Sequence, residues 1–313
     1  LAAPPLLDRR LAVVTGKGGV GKSTIAAALA LCAVRRGKRV LVCEVNAQER
    51  IAPLLGMRPV GARIREVLPR LHVVNVTPQE ATREYGLKIL RFQPVYDAVF
   101  ENRMVRHFLR VVPSFAELVT LGKILHEARA TEGGRPRWDL VVMDAPSTGH
   151  AVQLLRVPKA LLAAIPPGPL RHDAEWMQAL LLDPARCGIV LVTLPEELPT
   201  NETIELDAQV RDVLAISRAG LVVNAMPAAR FERGDGDALA RLSSEPPPVG
   251  PAARAGALAG LRRERAERAL ARLREAVPLP CAILPFLPSA RWGRGEVERL
   301  ADELTAAGGT WLA

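Results

Sequence analysis

The sequence predicts an α/β protein: a doubly wound, mostly parallel sheet with a helical insertion. Three observations predict it. Short apolar runs alternate with helical periodicities along most of the chain, as strands joined by crossover helices require. A glycine-rich string stands between the first apolar run and the first helix. The alternation breaks once at length, over residues 79–132, where helical pattern continues without a strand.

The elements follow in order. Residues 11–15 read as a short apolar strand, and residues 25–36 as a helix closed by Gly37. Residues 40–45 and 71–76 are buried parallel strands. Residues 79–132 form a helical insertion interrupted by Pro94 and Pro113. Residues 138–144 return to strand, and residues 149–183 are a second helical stretch, broken at Pro166-Pro167-Gly168-Pro169. Strands at 188–193 and 220–224 flank a helix at about 200–216. A proline-rich linker at 244–251 precedes an amphipathic helix at 258–277. Leu261, Ala269, Leu270, Leu273 and Val277 mark its apolar stripe, and Glu264 and Arg268 form an i,i+4 pair. A strand at 282–286 and a helix at 293–307 close the chain. The 313 residues read as a single domain, with both helical stretches as insertions into it.

Composition sets further bounds. Hydrophobic residues make up 49% of the chain and aromatics 4%, so aliphatic side chains must fill the core. No apolar run approaches the length that spans a bilayer, and no charged-then-apolar signal opens the chain. The four cysteines, at 32, 43, 187 and 281, form no C-x-x-C. They read as buried reduced thiols in a cytoplasmic protein, with no zinc site. The net charge of +9 is carried mostly by arginine. No Lys/Arg cluster has interleaved aromatics, so the codon bias of a GC-rich genome explains the charge better than a specific nucleic-acid partner.

The chemistry concentrates at Thr15-Gly16-Lys17-Gly18-Gly19-Val20-Gly21-Lys22-Ser23-Thr24. Gly16, Gly21, Lys22 and Ser23 satisfy the G-x-x-x-x-G-K-[ST] spacing of a phosphate loop. Glycines let the backbone N–H groups approach phosphate oxygens, and the following helix points its positive end at the same anion. Lys22 should reach the β- and γ-phosphates of ATP, and the Ser23 hydroxyl should hold Mg²⁺. Asp144, at the carboxyl end of an apolar strand, falls at the ligand crevice of an open α/β sheet and should support the same ion. Its other reading is a helix N-cap, a task that Thr148 would serve better. Asn224 offers a donor and an acceptor together, which suits the adenine edge, though a strand-end Asn also caps turns.

Lys17 narrows the class. A lysine beside the first glycine resembles the deviant Walker A ATPases, the ParA, MinD, nitrogenase iron protein and ArsA group. There it reaches the partner's nucleotide across a dimer. The string Asp144-Ala-Pro-Ser-Thr148-Gly149-His150, followed by Leu154-Leu155-Arg156, resembles the second switch of the ArsA family. That family includes arsenite-pump ATPases and the ATPases that target tail-anchored membrane proteins. Residues 194–203 resemble its P-E-x-x-x-x-x-E-T segment, Val222-Val223-Asn224 its adenine-binding V-V-N, and Leu284-Pro285-Phe286-Leu287-Pro288 the loop over the adenine. The resemblance implies an ATP-hydrolysing, Mg²⁺-dependent switch, a homodimer or heterodimer with a related ATPase, and a membrane pump or membrane-protein client. Gly16, Lys17, Gly18, Gly19, Val20, Gly21, Lys22, Ser23, Thr24, Asn224, Pro285 and Phe286 are the implied nucleotide contacts.

One departure stands out. The family reads D-P-A-H after its second strand; here Asn46 occupies the aspartate's place and Glu49 the histidine's. An amide cannot accept the proton of an attacking water. Either Glu44, two residues upstream, takes over, or hydrolysis is slow or lost and a partner subunit supplies the carboxylate. A ParA-like protein on DNA is a further alternative, disfavoured by the T-G-H switch. In the insertion, Phe100, Met104 and Phe108 share one helix face, which would either hold a client helix or pack within its own subdomain; the scarcity of Met favours packing.

Overall fold

All seven apolar runs form strands in the computed structural model, which describes residues 3–45, 48–90, 115–164, 166–232 and 234–313. The order is β1 (Leu11–Thr15), α1 (Lys22–Arg35), β2 (Val40–Glu44), α2 (Ile51–Leu54), β3 (Arg65–Leu68), β4 (Leu71–Asn75), α3 (Pro78–Leu90) and α4 (Phe115–Arg129). Next come a two-strand hairpin, β5 (Thr131–Glu132) and β6 (Arg135–Pro136), then β7 (Leu140–Asp144), α5 (Thr148–Ala164), α6 (Pro169–Leu182) and β8 (Cys187–Thr193). The last part runs α7 (Glu197–Ala208), a π-helical turn (Gln209–Leu214), β9 (Arg218–Met226), α8 (Asp235–Leu242), α9 (Val249–Ala276), β10 (Cys281–Pro285) and α10 (Arg294–Leu312).

Eight strands make one sheet in the order β10-β9-β8-β1-β7-β2-β4-β3. Every pairing is parallel except that of β3 with β4. Successive side chains of a strand point to opposite faces, so each strand feeds two cores. Leu11, Val13, Leu41 and Val141 meet α4, α5, α6 and α9 on one face. Ala12, Val14, Val42 and Val142 meet α1 and α10 on the other. Both faces are covered, which is why β1, β2, β7 and β8 are buried at every position.

Several boundaries differ from the sequence reading. α1 starts at Lys22, directly from Gly21, rather than at residue 25. β3 was not foreseen: Arg65 and Glu66 are exposed and only Val67 is buried, so an edge strand this short leaves no clear alternation. α9 is 28 residues long and begins at Val249, so residues 249–251 of the expected linker are its first turn. Pro251 is tolerated there because early helix N–H groups have no intrahelical partner. Leu270, Leu273 and Val277 are buried as expected, but Leu261 is 50% exposed. Glu264 and Arg268 form no ion pair; one residue earlier, Arg263 pairs with Glu267 at 2.8 Å. Cys32, Cys43 and Cys187 are buried free thiols, whereas Cys281 is half-exposed on the outermost strand, β10. α5 begins at Thr148 itself, so Ser147 holds the position before the helix. The Phe100, Met104 and Phe108 face lies outside the described residues.

Candidate nucleotide-binding site

The site sits at the carboxyl ends of β1, β2, β7, β8 and β9. β1 delivers the chain at Thr15 into the glycine loop, and α1 leaves it. Two glycines are required there by geometry. A Cβ at Gly16 would strike the backbone carbonyl oxygen of Val192 at the end of β8. Gly21 has φ +92°, and a Cβ there would come 2.5 Å from Asn224 Nδ2. No side chain caps α1, so its first N–H groups remain available to an anion.

Lys22 Nζ donates to the Lys17 carbonyl at 2.8 Å, folding over its own loop. Burial lowers its pKa below the ordinary lysine value, and the nearby Asp144 charge opposes that shift. Ser23 Oγ donates to Asp144 Oδ2 at 2.6 Å. Asp144 is fully buried at the end of β7, behind the serine. Lys17 Nζ pairs with Glu202 Oε1 at 2.8 Å, on α7 of the same chain.

Glu44 ends β2 in register with Asp144. Its side chain is fully buried and accepts the backbone N–H groups of Arg50 and Ile51, which caps α2. Burial raises its pKa to about 7; the N–H groups resist that shift and the Asp144 charge adds to it. The carboxylate expected to face the crevice is therefore occupied in positioning the chain that follows β2. Asn46 lies outside the described residues. Glu49, in place of the family's histidine, accepts from the N–H groups of Val60 at 2.5 Å and Gly61 at 2.9 Å, closing the loop after α2. Gly149 and His150 are exposed in the first turn of α5, with the Ser147 carbonyl accepting the His150 N–H at 3.0 Å.

Asn224, at β9, donates through Nδ2 to the Val20 carbonyl at 3.0 Å and accepts the Ala225 N–H at 2.9 Å. Its amide thus straps β9 to the phosphate loop, and the turn-capping alternative describes half of its bonding.

Two clefts adjoin the loop. One, of about 570 Å³, is lined by Gly18, Gly19, Gly21, Lys22, Ser23 and Thr24, with Glu49, Arg50, Ser147 and Trp292 around them. The other, of about 1530 Å³, shares Gly19, Gly21, Thr24 and Trp292 with it and adds Val20, Asn224 and Phe286. Pro285 and the Thr148–Gly149–His150 turn line neither cleft. Phe286 is 59% exposed while its N–H donates to the Met226 carbonyl. Trp292 and Arg50 were missed by sequence reasoning, and Glu202, which stands in the P-E-x-x-x-x-x-E-T segment, was not foreseen as the partner of Lys17. Trp292 carried a usable signal, an aromatic in a short polar loop four residues beyond Pro288.

A parallel sheet with a phosphate loop after its first strand, a helix start open to anions and a serine–aspartate pair beneath it defines a nucleotide-binding protein of the phosphate-loop class. The family model for the anion-transporting ATPases matches residues 9–165, just over half of the chain, and the chain belongs to that family. Among relatives, ATPase BagA of Mycobacterium tuberculosis is 33% identical over 202 residues, covering 63% of this chain and 59% of that one. The arsenical pump-driving ATPase of Acidiphilium multivorum is 28% identical over 254 residues, covering 72% of this chain and 40% of that one. An uncharacterized protein of Streptomyces coelicolor is 28% identical over 247 residues, covering 77% and 56%. The chain thus spans about two fifths to three fifths of the length of the curated relatives it matches. No helix among the described residues is long and apolar enough to cross a membrane.

Proposed function

We propose that the chain is an ArsA-type ATPase that binds Mg-ATP, hydrolyses it, and works in the cytoplasm as a dimeric switch for a membrane pump or a membrane-protein client. The observation that carries this is the Ser23–Asp144 contact of 2.6 Å directly behind the phosphate loop. A hydroxyl and a carboxylate in contact are an all-oxygen donor pair, which fits Mg²⁺. Ser23 and Asp144 would hold that ion, which when bound offsets charge on the β- and γ-phosphates.

The chain's own residues supply the rest. The loop N–H groups and the start of α1 cradle the phosphates. Lys22 leaves the Lys17 carbonyl for a phosphate oxygen, at little cost because it is already partly desolvated. Lys17 leaves Glu202 to reach the partner's nucleotide. Ser147 borders the phosphate cleft, so the turn that begins α5 can follow the γ-phosphate and pass its state to the helices packed on α5. The arsenical pump-driving ATPases among the relatives support a pump as the partner.

Asn46 favours a second reading, a nucleotide-binding subunit deficient in hydrolysis whose related partner carries the aspartate. Single-turnover hydrolysis with parallel binding of a fluorescent ATP analogue, for wild type, Lys22→Ala and Asn46→Asp, separates the two. Cleavage that Lys22→Ala abolishes supports the ATPase. Binding without cleavage, converted to cleavage by Asn46→Asp, supports the deficient subunit. A chain that binds no Mg-ATP sinks both.

A further inference from the structure

Of the two clefts beside the glycine loop, the smaller carries the groups expected at the terminal phosphates. Lys22, Ser23 and Ser147 line it, whereas Asn224 and Phe286 line only the larger one. Arg50 lines the smaller cleft as well, and the phosphate-loop motif does not account for it. Its backbone is fixed. The buried Glu44 carboxyl group accepts the Arg50 N–H, and the next two residues, Ile51 and Ala52, are fully buried. Its side chain is free. The residue is exposed, and its guanidinium makes no ion pair or hydrogen bond with another described residue.

The charges around it are unbalanced. Glu49 is the only carboxylate among the described residues that line this cleft, and it is engaged by the N–H groups of Val60 and Gly61. The Arg50 charge is felt at Lys22, where it adds to the lowering of the lysine pKa that burial causes and Asp144 opposes. Lys22 and Arg50 thus face one cleft that also opens on the uncapped start of α1. Two cations and a helix N-terminus favour an anion of more than one charge. A diphosphate already meets the loop N–H groups and Lys22. What a triphosphate adds is a terminal group with three free oxygens, and the planar fork of a guanidinium matches such a group better than a bridging phosphate.

We propose that Arg50 determines specificity at this site: its guanidinium binds the γ-phosphate and makes the cleft prefer a nucleoside triphosphate to the diphosphate. The inference rests on the nucleotide-binding part of the function proposed above, and it holds whether or not the bound triphosphate is cleaved.

The test is calorimetric titration of the full chain with a non-hydrolysable ATP analogue and, separately, with ADP, both with Mg²⁺. Wild type is compared with Arg50→Gln and Arg50→Lys, each checked for folding by thermal melting. Both variants keep the backbone N–H that Glu44 holds. Support is a loss of about tenfold or more in affinity for the analogue in Arg50→Gln, with ADP affinity within about twofold of wild type and Arg50→Lys in between. Equal losses for the two nucleotides overturn the proposal, because Arg50 would then act on the shape or general charge of the cleft. Unchanged affinity for the analogue in folded Arg50→Gln overturns it too, and leaves the nucleotide-binding reading intact when wild type binds both ligands. A wild type that binds neither removes that reading, and this inference with it.

Discussion

Glu44 is a carboxyl group held far from its ordinary chemistry by its surroundings. Its carboxyl is fully buried, and its pKa moves from 4.5 to about 7. Between those pH values the folded protein keeps a proton that the unfolded chain has released. Stability therefore falls as pH rises through that window and stays lower above it, by up to roughly 3 kcal/mol. Glu44→Gln retains an acceptor oxygen for the Arg50 N–H and removes the desolvated charge. Urea denaturation without nucleotide or Mg²⁺ should show the variant gaining on wild type between about pH 5 and pH 8. Parallel pH profiles for the two proteins would contradict the assignment. Gly16 is the second residue-scale case. Because a Cβ there meets a backbone carbonyl rather than a movable side chain, Gly16→Ala should distort the loop and weaken ATP binding by about tenfold or more, read by analogue titration. Retention of wild-type affinity would show that the loop can yield.

At the scale of the element, α9 is two-sided. Leu270, Leu273 and Val277 face the core, while Leu258 and Leu261 are 57% and 50% exposed. Leu273→Ala should cost about 2–4 kcal/mol in chemical denaturation, since it opens a cavity in packed surroundings. Leu261→Ala should change stability by less than about 0.5 kcal/mol, because water already covers that side chain. Equal effects at the two sites would mean that α9 packs differently from the arrangement described. The same two-sidedness leaves the arginines of α9 free to line a cleft without disturbing the core.

For the whole molecule the informative contact is Lys17 with Glu202. The two side chains are 26% and 33% exposed, so the pair contributes about 0–1 kcal/mol. In the dimeric reading that contact must break before Lys17 reaches a partner's nucleotide. Glu202→Gln should therefore strengthen nucleotide-dependent dimerisation by up to about fivefold per site, measured by light scattering with a non-hydrolysable ATP analogue. An unaltered concentration dependence would mean that the pair does not restrain assembly.

The sequence by itself determined the parallel sheet, the phosphate loop and the strand-end position of Asp144. Each is a local matter: the period of apolar residues, the glycine spacing, and a carboxylate closing an apolar run. Tertiary structure decided the rest, because it depends on residues that meet only after folding. β3 needed β4 beside it to become a strand. Glu44, legible as a candidate base, became a helix cap once the chain after β2 turned back over it. Asn224 met Val20, 204 positions away, and strapped the loop it was expected to serve from a distance. Arginines that looked like a solvated helix face, with no aromatics near them in the chain, were placed in one cleft with Phe286 and Trp292. Charge can be counted along a sequence, but its surroundings are set by which elements the sheet places side by side.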